Sequence, residues 1–127
     1  MRFLLDTHVL IWNLSRPEAL SKKTLALIDD PVYDKFISLA SLWEMSIKVS
    51  LGKLKLSQPT SQIISDCFDA GLKLLPITLE HTQTVENLPW PHRDPFDRML
   101  IAQAQHEKLA IITQDVKFRD YQVEIIW

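Results

Sequence analysis

Four carboxylates stand where they could act as one group: Asp6, Glu44, Asp97 and Asp115. Asp6 closes the apolar run "FLLD" and Asp115 follows "AIITQ". Glu44 lies in "SLWEMS", and Asp97 lies in "DPFDRML". Like charges about 5 Å apart in a partly screened site repel by roughly 3 kcal/mol per pair. Such a cluster either protonates or binds a cation. An all-oxygen donor set favours a hard ion, Mg²⁺ or Mn²⁺. The chain has no His-x-x-x-His pair and only one cysteine, so it lacks the usual zinc ligand spacing. His8, His81, His92 and His106 read as surface or capping residues.

Each acid also has an ordinary explanation. Asp6 suits a helix N-cap, and Asp115 a polar turn. Ser41-x-x-Glu44 fits a capping box, and Lys48, one turn on, offers Glu44 an ion pair. Yet Glu44 shares helical spacing with Ala40, Ile47 and Leu51, and an acid within an apolar stripe needs a partner. Asp94-Pro95 is a strong helix start, with Asp as cap and Pro at the first helical position. That leaves Asp97 in the first turn with no capping task.

The elements that must position these acids follow from periodicity and punctuation. The pattern predicts strands at 2–5, 35–39, 72–77, 110–113 and 123–127. Helices are predicted at about 7–14, 21–29 with Ser21 as cap, 40–53 stopping at Gly52, 61–71 closed by Gly71, 79–88 and 94–109. "SRPEALS" reads as a turn and "PWPHR" as a proline-rich loop. Strands alternating with helices imply parallel pairing in a layered α/β domain, whose ligand crevice lies where strands hand over to helices. No repeat or linker interrupts the pattern, so a single domain over 1–127 is expected.

Bulk properties narrow the classes further. A 127-residue chain that is 46% hydrophobic and 24% charged suits one core. No apolar stretch approaches the roughly 20 residues of a membrane span. Asp6 and His8 interrupt any leader-like N-terminal pattern. A lone cysteine, Cys67, cannot form an internal disulfide, and a reducing cytoplasm is the expected location. The net charge of −2 argues against a wholly basic nucleic-acid binder. A rim of cations round the acids remains open to Lys48, Lys53, Lys55, Arg93, Arg98, Lys117 and Arg119.

"FLLDTHVLIW", "SLASLWEMSIKVSLGKL", "HRDPFDRMLIAQA" and "LAIITQD", in this order and spacing, resemble PIN-domain proteins, and more narrowly the VapC-type toxins of bacterial toxin–antitoxin pairs. The resemblance covers essentially the whole chain. It implies a three-layer PIN-like fold with a central parallel sheet flanked by helices, and a Mg-dependent ribonuclease (Mn as the other candidate). Asp6, Glu44, Asp97 and Asp115 would be its catalytic and metal-binding acids. Thr7, Lys48, Arg93, Asp94, Arg98 and Thr113 would support the ligands or touch substrate. Where many relatives place an arginine between threonine and aspartate, this chain has Gln114. The resemblance also implies an RNA substrate, a cognate antitoxin and a homodimer. Trp12, Trp43 and Trp90 could line a partner groove, with burial in the core as the ordinary reading, and Trp90 could stack on an unpaired base.

Two other classes compete. A phosphotransferase with Asp6 as nucleophile, as in haloacid-dehalogenase-like enzymes, needs an acid two residues on, where this chain has His8. A non-catalytic PIN-like module binding RNA or a protein would not need all four acids.

Overall fold

The computed structural model describes residues 1–127. Five strands form one wholly parallel sheet: β1 (Arg2–Leu5), β2 (Asp34–Ser38), β3 (Lys73–Leu75), β4 (Ala110–Ile112) and β5 (Ile125–Ile126), in the order β3-β2-β1-β4-β5. Six helices connect them: α1 (Thr7–Ser15), α2 (Lys22–Asp29), α3 (Leu39–Ser50), α4 (Thr60–Asp69), α5 (Leu79–Glu86) and α6 (Pro95–Glu107). Parallel neighbours require crossovers, and the helices supply most of them.

Side chains alternate across the sheet and divide the core in two. Phe3, Leu5, Ala110 and Ile112 face one apolar cluster, with Val9 and Leu10 of α1, Met45 of α3, and Ile63 and Cys67 of α4. Leu4 and Ile111 face the other, with Leu100, Ile101 and Ala104 of α6. The result is the expected three layers of helix, sheet and helix. β1 is the central strand and is buried after its first residue.

Several boundaries move, each for a local reason. α3 starts earlier than its apolar run suggests, because Ser38, not Ser41, is its N-cap and accepts from the Ala40 amide. Ser41 is buried inside the helix, so the Ser41–Glu44 capping box does not form. Leu51, assigned to the apolar stripe of Glu44, is 62% exposed. α6 starts where Asp94 and Pro95 place it: Asp94 accepts from the amides of Phe96 and Asp97. β5 is only two residues long. A 3-10 turn at Val116–Asp120, with no sequence signal, carries buried Phe118 beneath the sheet end.

Candidate active site

Strand order reverses direction at β1, whose neighbours are β2 on one side and β4 on the other. Ligand crevices in open parallel sheets form outside the carboxyl ends of the strands at such a point. Asp6 leaves β1 there, and its amide donates to the Ile112 carbonyl of β4. Thr113 and Asp115 leave β4 beside it. A cleft of about 420 Å³ between these ends is lined by Asp6, His8, Trp12, Gln114, Asp115 and Val116. A hollow of about 520 Å³ at the opposite end of the strands, lined in part by Arg2, Lys108 and Glu124, lies away from the four acids.

Asp6 occupies the N-cap position of α1, but its side chain makes no capping bond. Instead its Oδ2 accepts from the Thr113 hydroxyl at 2.9 Å, and the same hydroxyl oxygen accepts from the Asp115 amide at 3.0 Å. Thr113 therefore ties two of the four acids together across the β1–β4 junction. Burial pushes the Asp6 carboxyl above its ordinary range, outweighing the opposing effects of Thr113, His8 and the Thr7 amide.

Asp97 is the strongly perturbed member. Its pKa is pushed up to about 7, first by burial and then by the charges of Asp94, Asp6, Glu44 and Asp115. Acids from four separate stretches of chain thus act on one carboxyl group, although the sequence carries them 91 positions apart at most from it (Asp6 to Asp97). Bare carboxylates repel, and no three His, Cys, Asp or Glu side chains close to the spacing of a metal centre. The donor chemistry nonetheless suits a hard cation, since the candidate ligands are all carboxylate oxygens and two of them, Asp6 and Asp115, line the cleft.

The remaining members divide between support and scaffold. Glu44 is mostly covered and pairs with Lys48 at 3.1 Å, as its spacing predicts. Asp115 Oδ1 accepts from the Lys117 amide and caps the 3-10 turn, while Asp94 is occupied in capping α6. Thr7, expected beside a ligand carboxylate, instead donates to Ser41 Oγ at 2.8 Å and locks α1 to α3.

Arg98 is the largest departure. Expected as a substrate contact, it is 2% exposed and points away from the crevice. Its guanidinium donates to the carbonyls of Val85, Leu88 and Pro89 and to the Tyr121 hydroxyl, and stacks 3.6 Å from the Trp90 ring centroid. It organises the 85–90 turn. Trp43 and Trp90, for which burial is the ordinary reading, are 59% and 67% exposed, and only Trp12 is half-buried. His81 is fully buried, yet it does cap: it completes a capping box with Thr78 and pairs with Glu107 at 2.9 Å.

A model of the PIN domain matches residues 3–124. The chain belongs to the PIN domain family. Solved structures agree at the level of fold. The PIN domain here superposes with TM-score 0.74 on a chain of VapBC2 from Rickettsia felis bound to a promoter DNA fragment, at 18% identity over 99% of this chain and 98% of that one. FitAcB from Neisseria gonorrhoeae gives 0.67, 19%, 98% and 96%. A toxin–antitoxin complex from Klebsiella pneumoniae gives 0.67, 20%, 98% and 95%. No curated protein sequence matches.

The Thr113 bridge yields a first expected outcome for this PIN domain. Thr113→Val keeps the shape but removes the donor to Asp6 and leaves the Asp115 amide unpaired. A stability loss of about 1–3 kcal/mol is expected by denaturant titration. If the acids hold a metal, its affinity should also fall about 10- to 100-fold, the usual effect of losing a partner that orients a ligand.

Proposed function

We propose that the protein is a metal-dependent endoribonuclease and the toxin of a toxin–antitoxin pair. The observation that supports this reading is the Thr113 bridge joining Asp6 to Asp115 at the β1–β4 switch point, together with the charges of Asp94, Asp6, Glu44 and Asp115 that raise Asp97. Asp6 and Asp97 are the principal residues to hold Mg²⁺ or Mn²⁺, with Glu44 and Asp115 completing the set. A divalent ion held there supplies an activated water and offsets charge on phosphoryl oxygens. The chain's own part is positional. Thr113 fixes Asp6 relative to Asp115, Asp94 caps the first turn of α6 that carries Asp97, and Lys48 pairs with Glu44. Exposed Arg93, Lys117 and Arg119 can meet an RNA backbone that the acids alone would repel.

Membership of the PIN family supports the hydrolase, and the toxin–antitoxin complex among its structural relatives supports a cognate antitoxin. A homodimer working in the cytoplasm completes the reading. It is compatible with a buried free Cys67 and with the lack of any helix long and apolar enough to cross a membrane.

The deciding experiment is cleavage of single-stranded RNA with and without Mg²⁺. Cleavage and tight RNA association should both disappear in excess EDTA and return when Mg²⁺ or Mn²⁺ is restored. Equal cleavage with and without chelator would refute the metal mechanism. Asp6→Asn separates this reading from a non-catalytic module: cleavage should vanish while antitoxin binding persists.

A further inference from the structure

Beside the acids lies an apolar groove of about 270 Å³ that the proposed chemistry does not use. Its walls include Trp43, which precedes Glu44 in α3, and Phe96, which precedes Asp97 in α6; their rings meet edge to face at 5.1 Å. At its mouth stands Trp90. The guanidinium of Arg98 covers one face of the indole, yet Trp90 remains 67% exposed, so the opposite face is free. The platform is rigid for a structural reason. Each terminal nitrogen of the buried Arg98 is held by backbone carbonyls of the 85–90 turn, which also carries Trp90. Pro89 and Pro91 flank the tryptophan and restrict its backbone. Exposed Arg93 lines the hollow against Trp90 and offers positive charge at its edge.

We infer that Trp90 is a stacking platform for an unpaired nucleobase of single-stranded nucleic acid, seated next to the phosphate addressed by the acids and with Arg93 on its backbone. An aromatic face beside a cation is the combination that single-stranded chains use, since every base has a π-face and every linkage a charge. A cation beneath the indole leaves its exposed face available for stacking. An apolar peptide could enter the groove, but it would gain nothing from Arg93 at its rim. The inference rests on the nuclease reading for the location of the phosphate, though not for the stacking itself.

The test has a binding arm that needs no cleavage. Short oligoribonucleotides, each with one abasic position moved along the chain, are titrated in Mg²⁺ against the protein with and without Trp90→Ala, all four acids intact, with binding read by rapid mixing before any cleavage. Trp90→Ala should weaken binding of the intact oligonucleotide by roughly 10-fold, the usual scale for one stacked base. One abasic position should cause the same loss, and the two changes together should cost no more than either alone. Trp90→Phe should recover part of the affinity. Full additivity of the two changes, or unaltered RNA affinity in Trp90→Ala, overturns the proposal. Loss of antitoxin binding alone assigns the groove to a protein partner and overturns it too. Absence of cleavage by the wild-type chain, with the binding pattern intact, removes the nuclease reading and leaves the platform standing.

Discussion

Asp97→Asn should abolish cleavage and, in metal-free buffer, make the protein more stable. The first effect follows from the site. Losing a partner of a metal ligand commonly lowers activity 10- to 100-fold, so losing a principal ligand should lower it by more than about 100-fold. The second follows from linkage. The folded-state pKa of Asp97 is about 7, above its ordinary value of 3.8, so the native protein holds a proton that the unfolded chain has released. Stability from this group is therefore full below about pH 4 and is lost as pH rises through about 7. Asn carries no charge and escapes that loss. The melting temperature of Asp97→Asn in EDTA should exceed that of the wild type at pH 8, and the gap should shrink towards pH 5. Saturating Mg²⁺ should close or reverse it, because an ion that binds only the native state stabilises the wild type. An Asp97→Asn protein less stable than wild type at pH 8 without metal would show that the carboxyl is not under the strain assigned to it.

Arg98→Ala should produce the largest loss of stability of any single change near the site. It strips a charged donor from three carbonyls and a tyrosine hydroxyl that its burial has already removed from water. A cost of about 3–5 kcal/mol is expected, equivalent to a fall in melting temperature of roughly 12–20 °C. Lysine should rescue less than half, since an ammonium cannot reproduce the planar fork that reaches Val85, Leu88 and Pro89 together. Were Arg98 a substrate contact instead, its loss would raise KM and leave the melting curve in place.

The two residues show what a sequence can and cannot disclose here. The role of Asp94 was legible because Asp-Pro fixes a helix start within three residues, and the bonds to Phe96 and Asp97 amides are local. The layered parallel fold was legible because strand and helix periods alternate cleanly. Three candidate acids were legible by their places at element ends, Asp6, Asp97 and Asp115, whereas Glu44 lies in the middle of α3 and stood out only as an acid within an apolar stripe. The Asp6 side chain was different. Its bond goes to Thr113, 107 positions away, so the local preference for capping gave a plausible but incorrect account. Arg98 misled for the same reason: arginine on a polar-rich segment is usually exposed, and the carbonyls that bury it belong to a turn whose path no local pattern specifies. Ser38 and Ser41 both precede helical residues, and only packing against α1 puts Ser41 inside.

The central position of β1 has a consequence for biosynthesis. Residues 2–5 are made long before 110–112, so one side of that strand stays unpaired until 110–112 have been added, and Asp6 lacks its Thr113 partner until that bridge can form. Contacts so distant in sequence form late. A ribosome part-way through this message therefore carries only separated fragments of the acid cluster, and the Thr113 bridge that joins Asp6 to Asp115 closes only once translation has moved past Asp115.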